Sequence, residues 1–462
     1  MASLTTLDIL SAASALRAGD MSSEDLTRGF LDRIEQVDPS LHAFYAVTAD
    51  HALTQARKAD EARSQGADLG ALHGVPIAVK DLYETTFAPT TGGLSHRRGF
   101  VAAQDCHVVQ RLEAAGAVIL GKLATTEGAG LDHNPEWPTP VNPWSAAHWT
   151  GISSSGSGVA VAARLCLGAL GSDTGGSIRL PAAACGVTGL KPTFGRVNGA
   201  GVMDLAQGFD HFGPITQSAA DAAVMLQAIA GRDSGDPRTG GAPDAADYVG
   251  SIDGGVKGVR IGVDRDVLEN RTDSAIAVLL ETALREIELA GAVLVPVRLP
   301  ATDELMVSYS QVLARQAAGA HAQWFDAHEA GYGAVLGEMV RRGRALDEVS
   351  LFRAQERCAR WSGELAELML SVDTLAVPVL ANPVPRLAAM VPGQPSGIGT
   401  FTIPFNVSGS PAINFPVGFD PDGLPVSLQL VGRHWDEAVL LRAGHSYQKA
   451  TEWHRMVPPA AN

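Results

Sequence analysis

A serine beside a pair of glycines, and a lysine at the end of an apolar run, are the residues of this chain whose types and spacing could do chemistry. Residues 151–192 read GISSSGSGVAVAARLCLGALGSDTGGSIRLPAAACGVTGLKP. One small-residue loop holds Ser153, Ser154 and Ser155, and a second holds Asp173, Thr174, Gly175, Gly176 and Ser177. Between them, residues 159–170 read as a buried helix leading into a short strand. Glycines at 175 and 176 let the backbone approach a ligand closely, and successive N–H groups in such a turn can converge on an anion. Ser177 then opens the next helical turns, near the positive end of their dipole. A hydroxyl beside convergent N–H donors supplies a nucleophile and an oxyanion hole, the parts that acyl transfer needs.

A serine nucleophile also needs a base. Histidine is the usual choice, and residues 151–192 contain none. Upstream, Gly74-Val75-Pro76-Ile77-Ala78-Val79-Lys80-Asp81 is an apolar, strand-forming run ending in a single lysine. Loss of water at such a strand end lowers a lysine pKa, and the neutral amine can take a proton. Taken singly, each pattern has a plain alternative: a Gly-Ser turn without chemistry, and a lysine that snorkels to water. Asp210-His211 offers a different base for Ser177.

Together the two stretches resemble the amidase signature family. The resemblance rests on residues 74–81, on 153–192 with Asp173-Thr174-Gly175-Gly176-Ser177-Ile178-Arg179 and Pro181, and on Gly189-Leu190-Lys191-Pro192-Thr193. It implies a Ser-cisSer-Lys triad with Ser177 as nucleophile, Lys80 as base and Ser153 as the bridging serine after a cis peptide bond. It further implies an oxyanion hole of backbone N–H groups at Thr174, Gly175, Gly176 and Ser177, with Asp173 and Arg179 holding the loop in shape. The acidic residue near 210 is structural in this family, which makes His211 the minor alternative. Two positions depart from the family pattern: Ile152 and Ser155 stand where glycines are expected.

The remaining elements must position these groups. Residues 5–18, 22–37 and 49–65 read as helices, the second opened by Ser22 with Asp25 and ended by Pro39, with a short strand at 43–47. A strand at 75–80, a helix from Asp105 to 115 and a strand at 117–120 give a strand-helix-strand rhythm, which argues for a mixed, largely buried α/β sheet. Residues 125–149 form a long irregular loop with four prolines and three tryptophans. Trp137 is a candidate for an acyl pocket, pinning of the loop to the core being the competing role. Gly130 and Leu131 are candidates because the resemblance places backbone there close to a bound amide. Residues 194–213 are turn-rich, and Ser218 with Asp221 caps a helix over 219–230. Strands follow at 259–263, 293–297, 375–380 and 427–431, with helices at 273–290 and 440–451, a helix and strand over 406–417 and a proline-rich loop at 382–397.

Fold class and organisation follow. The chain reads as α/β, an amidase-signature fold with a large mixed β-sheet covered by helices on both faces. It forms one amidase domain over 1–462: an N-terminal helical region at 1–70, a catalytic signature core at 71–231, an α/β continuation at 232–300, a variable helical substrate-entrance region at 301–398 and a C-terminal return to the core at 399–462. The resemblance implies that the opening region can take part in a homodimer.

Composition narrows the function. The 462 residues are 46% hydrophobic and 18% charged, enough apolar material for a large core. Lys and Arg number 35 against 50 Asp and Glu, a net charge of −15 with no basic run, which disfavours nucleic acid and membrane partners. Cys106, Cys166, Cys185 and Cys358 lack zinc-site or CxxC spacing and read as free thiols suited to a reducing cytoplasm. Residues 1–10 lack the basic and apolar regions of a signal peptide. No P-loop, HExxH, GxSxG or complete dinucleotide fingerprint occurs, so neither cofactor nor metal is expected.

The leading expectation is a cytoplasmic hydrolase that cleaves the C–N bond of a small-molecule amide, or a carbamate or ester, through a seryl acyl-enzyme. The competing expectations are the glutaminase subunit of a tRNA-dependent amidotransferase and a catalytically silent binding member of the family. The glutaminase type carries an acid shortly before the segment matching Ile403-Pro404, where this chain has Gly399-Thr400.

Overall fold

Eleven short apolar runs hydrogen-bond into one mixed sheet. The computed structural model describes residues 6–390 and 397–461. The strands are β1 (Phe44–Val47), β2 (Pro76–Lys80), β3 (Val118–Leu123), β4 (Gly168–Asp173), β5 (Thr188–Lys191), β6 (His211–Thr216), β7 (Arg260–Val263), β8 (Val293–Pro296), β9 (Thr374–Pro378), β10 (Ala412–Phe419) and β11 (Pro425–Gly432). Their order across the sheet is β1-β3-β2-β4-β6-β5-β10-β11-β9-β7-β8. The helices are α1 (Ile9–Ala18), α2 (Ser23–Leu41), α3 (Ala49–Ser64), α4 (His107–Ala114), α5 (Ser155–Ala162), α6 (Arg179–Cys185) and α7 (Ala219–Ile229), then α8 (Arg265–Asn270) and α9 (Ser274–Leu289). Beyond them lie α10 (Asp303–Ala320), α11 (Ala322–His328), α12 (Ala334–Ala345), α13 (Glu348–Met369), α14 (Ile403–Val407) and α15 (Glu437–Ala450).

The topology decides where chemistry can sit. β2 lies between β3 and β4 and runs parallel to both, with Ala78 opposite Ala169 and Ile77 opposite Ile119. All three strands are buried along their whole length, as parallel strands with both faces covered must be. Their C-terminal ends lie side by side, and in sheets of this kind ligands bind outside the carboxyl ends of the strands. Those ends deliver Lys80, the loop that starts at Ala124, and the loop that starts at Asp173.

The helices form layers on both faces of the sheet. α5 packs on β2, β3, β4 and β6 and against α6, which continues the layer over β5, β10 and β11. α7 and α15 pack on each other and on β4, β5, β6, β10 and β11. α10, α12 and α13 pack on one another, and α10 and α13 reach α14 beside the Asp173 loop.

Several local expectations shift. The helix expected from residue 5 starts at Ile9 behind an Asp8 cap, and Thr5 lies outside the described residues. Pro39 does not end α2, which runs on to Leu41. A proline near a helix end forfeits only one main-chain bond. Here Asp38 supports that end: its carbonyl accepts from His42 N–H at 2.8 Å and its carboxylate from Ala43 N–H at 2.7 Å. Residues 211–213, expected as turn, open β6, because pairing with β4 on one side and β5 on the other outweighs the weak strand propensity of Gly213 and Pro214. The helix expected from residue 406 is instead α14, three residues earlier. Of the proline-rich loop at 382–397, residues 391–396 lie outside the described residues. Among the described residues no helix is long and apolar enough to cross a membrane, and all four cysteines are buried and unpaired.

Candidate active site

At the end of β2, Lys80 is fully buried and makes no ion pair among the described residues. Its Nζ lies 2.7 Å from Ser153 Oγ, 3.0 Å from Ser154 Oγ and 2.9 Å from Ser172 Oγ. Hydroxyls both donate and accept, so this surround satisfies the ammonium and the neutral amine alike. Burial brings the Lys80 pKa down to about 7, against the opposing pull of the Asp173 and Asp210 carboxylates. A lysine so placed changes charge near neutrality.

The serine run is held from several sides. The Ile152–Ser153 peptide bond is cis. Ser154 N–H donates to the Ser177 carbonyl at 3.2 Å, which stitches the run to the Ser177 loop. Ser154 Oγ donates to the Ser172 carbonyl and accepts from Ser172 N–H, both at 3.2 Å. Ser177 stands two residues before α6 and is 9% exposed. No hydrogen bond joins the Ser153 and Ser177 hydroxyls in this arrangement, the looser state common where no substrate tightens a catalytic contact.

Asp173 and Arg179 shape the loop. Arg179 Nε and Nη2 grip both carboxylate oxygens of Asp173 at 3.0 and 2.9 Å. Its remaining donors reach the Thr402 carbonyl, Gln429 Oε1 and Asn406 Oδ1 at 3.0, 2.8 and 2.6 Å. All five guanidinium N–H groups are thereby used, and none is left for a substrate. Burial alone would raise the Asp173 carboxyl, but the Arg179 charge and its hydrogen bonds, with Lys191 and Asn406, hold it well below the usual carboxylate range.

The same carboxylate takes one of the four N–H groups expected to face an oxyanion. Gly176 N–H donates to Asp173 Oδ1 at 2.7 Å, because its φ of 132° folds the turn back over the aspartate. The N–H groups of Thr174, Gly175 and Ser177 carry no main-chain or side-chain acceptor among the described residues. Tyr309 Oη donates to the Thr174 carbonyl at 3.1 Å and Thr402 Oγ1 to the Gly175 carbonyl at 2.7 Å. A planar peptide points its N–H opposite to its carbonyl, so anchoring the Thr174 carbonyl turns Gly175 N–H away from Tyr309.

Asp210 accepts from Thr174 Oγ1 at 2.6 Å and from the N–H groups of Leu205 and Ala206, both at 2.9 Å. Burial pushes its pKa up to about 7, with Asp204 adding to the rise. His211 points elsewhere: Nδ1 lies 2.6 Å from the Phe209 carbonyl, and burial together with the Lys191 charge keeps the ring neutral. It makes no hydrogen bond to Ser177.

The weaker pocket candidates lie on the loop after β3. Thr126 links them to the serines: its N–H donates to the Ser153 carbonyl at 3.2 Å and its Oγ1 to the Gly130 carbonyl at 2.7 Å. Leu131 is half exposed. Trp137 packs on Tyr45 with ring centroids 4.6 Å apart and under the Arg98 guanidinium at 4.3 Å, contacts that pin the loop. Trp144 donates from Nε1 to the Cys185 carbonyl at 2.8 Å, and Trp149 N–H to the Pro385 carbonyl at 3.0 Å.

Sequence reasoning missed Ser154 and Ser172 as partners of Lys80, and Tyr309, Thr402 and Asn406 as supports of the loop. Ser172, next to Asp173 in β4, could have been found from strand alternation. The three supports come from distant segments with no local signal. A buried pair was also missed: Lys122 Nζ lies 3.2 Å from Asp81 Oδ1 beneath the loops that follow β2 and β3.

Known proteins share this chain's sequence and fold over nearly its whole length. The Amidase family model matches residues 25–441. A Mycobacterium tuberculosis protein named "Putative amidase AmiD" is 42% identical over 461 residues, covering 99% of this chain and 96% of its own length. A Glutamyl-tRNA(Gln) amidotransferase polypeptide of Chloroflexus aurantiacus is 38% identical over 489 residues, covering 99% of each chain. Among solved structures, the native peptide amidase of Stenotrophomonas maltophilia superposes with a TM-score of 0.86 at 32% identity, over 96% of this chain and 97% of that one. The family model spans the elements that carry Lys80, Ser153 and Ser177 as well as the sheet that places them, and the chain belongs to the amidase signature family.

Proposed function

We propose that this chain is an amidase that works through a seryl acyl-enzyme at Ser177. The observation that carries the reading is a fully buried lysine, without an ion pair among the described residues, enclosed by three serine hydroxyls beside a loop with unengaged N–H groups. Neutral Lys80 takes the proton of Ser153 as Ser153 takes that of Ser177, and Ser177 Oγ adds to the substrate carbonyl carbon. The oxyanion meets the N–H groups of Thr174, Gly175 and Ser177, each such donor being worth about 3 kcal/mol in the transition state. Collapse breaks the C–N bond, and the proton held by Lys80 returns through Ser153 to the departing amine. Water then adds to the acyl-enzyme by the same relay and frees Ser177.

The substrate is an uncharged small-molecule amide, with carbamates and esters open to the same relay. Gly399, Thr402 and Ile403 adjoin Gly175 and Gly176, and none of them is acidic. The nearest carboxylates, Asp173 and Asp210, are committed to Arg179 and to loop N–H and hydroxyl groups. This favours a stand-alone amidase over a glutaminase subunit, which would need an anion for the α-ammonium of glutamine. The homodimer expected from the resemblance and a cytoplasmic location belong to the same reading. A panel of primary amides, anilides, carbamates, esters and glutamine, read by amine or ammonia release, tests it: turnover of neutral amides without turnover of glutamine supports the reading, and glutamine alone as substrate overturns it.

A further inference from the structure

Ser155 replaces the glycine of the family pattern, and its buried hydroxyl has found a partner. Ser155 Oγ lies 3.1 Å from His133 Nε2. His133 belongs to the loop after β3, which meets the serine run at two other points: Gly156 N–H donates to the Ala124 carbonyl at 3.0 Å, and Thr126 N–H to the Ser153 carbonyl at 3.2 Å. These three links bracket Ser153 and Ser154, whose hydroxyls lie 2.7 and 3.0 Å from Lys80 Nζ. Two of the links are main chain to main chain and any sequence could make them. The third depends on an imidazole at 133 and a hydroxyl at 155.

We propose that His133 is a positioning residue for acyl transfer, acting through Ser155 to hold the Ser153 and Ser154 hydroxyls on Lys80. The inference rests on the reading of Ser177 and Lys80 given above. A hydroxyl buried without a partner is unfavourable, so Ser155 at the start of α5 needs this histidine to settle in one place. The imidazole suits the task because it stays neutral: burial, with the Lys80 charge adding to it, lowers its pKa to about 4. A neutral ring can stand near Lys80 in either of the lysine's charge states without repelling it. Ser155 is the first residue of α5 and Ser154 immediately precedes it, so a displacement at Ser155 passes directly into the contacts of Lys80.

The test uses the full chain and a fluorophosphonate, which needs no knowledge of the natural substrate. Ser177 Oγ bonds to phosphorus, fluoride leaves, and the serine proton passes through Ser153 to Lys80. His133→Ala and Ser155→Ala are each expected to lower the maximal labelling rate by about ten- to a hundredfold, the scale of small misplacements at a reacting centre. The half-saturating probe concentration should move by less than about twofold. The double variant should be no slower than the slower single variant, since both remove one link. His133→Gln, which can still reach the hydroxyl, should recover most of the rate. Ser155→Gly serves if the alanine variants do not fold, with the same loss expected. Single variants labelling at the wild-type rate, or losses that multiply in the double variant alongside a matching fall in Tm, would overturn the inference. A wild-type chain that takes no label on Ser177 overturns the underlying reading and this inference with it. A labelled Ser177 that is indifferent to His133 and Ser155 overturns this inference alone.

Discussion

Lys80 Nζ lies 2.7 Å from Ser153 Oγ in a fully buried setting that contains hydroxyls but, among the described residues, no ion-pair partner. A lysine placed so cannot serve as a stable positive charge for structure alone. Its position makes sense as a base that titrates in the working range.

The pH dependence follows from that setting. With the Lys80 pKa lowered from 10.5 to about 7, the amine is free of its proton above neutrality. The kcat/KM for a neutral amide is expected to fall about tenfold per pH unit below roughly pH 7 and to level off above it. The same shift bears on stability. Between pH 7 and 10.5 the unfolded chain holds a proton that the folded lysine has lost, so this group's contribution to stability rises with pH across that window. A pH–rate profile on a neutral amide checks the first statement, and a limb near pH 4 would point to a histidine instead.

Arg179 is predicted to be a residue of stability first. Arg179→Ala leaves Asp173 charged, fully buried and without its bidentate partner. Loss of one member of a buried pair costs about 3–5 kcal/mol. Arg179→Lys should rescue little, because an ammonium has three donors where five are used. Denaturant unfolding followed by circular dichroism measures both variants, and wild-type stability in Arg179→Ala would refute the network's role.

Gly176 is predicted to matter for the loop rather than for a direct donor. A Cβ at this position would stand 2.5 Å from Thr402 Oγ1 and 2.8 Å from Leu180 Cδ1, at a φ of +132°. Gly176→Ala therefore forces Thr402 off the Gly175 carbonyl, at a cost of about 1–3 kcal/mol in backbone strain. The expected result is a kcat at least about tenfold lower with a smaller change in KM, measured with the best amide of the substrate panel.

Much of the site was legible because its chemistry is local in sequence. Asp173 to Arg179 and the run ending at Lys80 each announce themselves within a few residues, and two parallel neighbouring strands then bring them together. The central strands were legible for the same reason, being short, apolar and β-branched. What could not be read are the groups that hold the loop from outside. Tyr309 comes from α10, Thr402 from the turn before α14 and His133 from a long irregular loop, and none carries a periodic or motif signal. Gly176 was expected among the oxyanion donors because a turn sequence gives no sign of which N–H a neighbouring carboxylate will take. The extension of α2 past Pro39 was hidden likewise, since it depends on how Asp38 is used.

The measurement that bears most directly on the central claim is covalent labelling of the purified chain with a fluorophosphonate, the adduct being mapped by peptide mass. One adduct is expected, on Ser177, lost in Ser177→Ala and at least about a thousandfold slower in Lys80→Ala with the fold intact. An adduct on another residue, or undiminished labelling of Ser177 in Lys80→Ala, would contradict the assignment of Ser177 as nucleophile and Lys80 as its base.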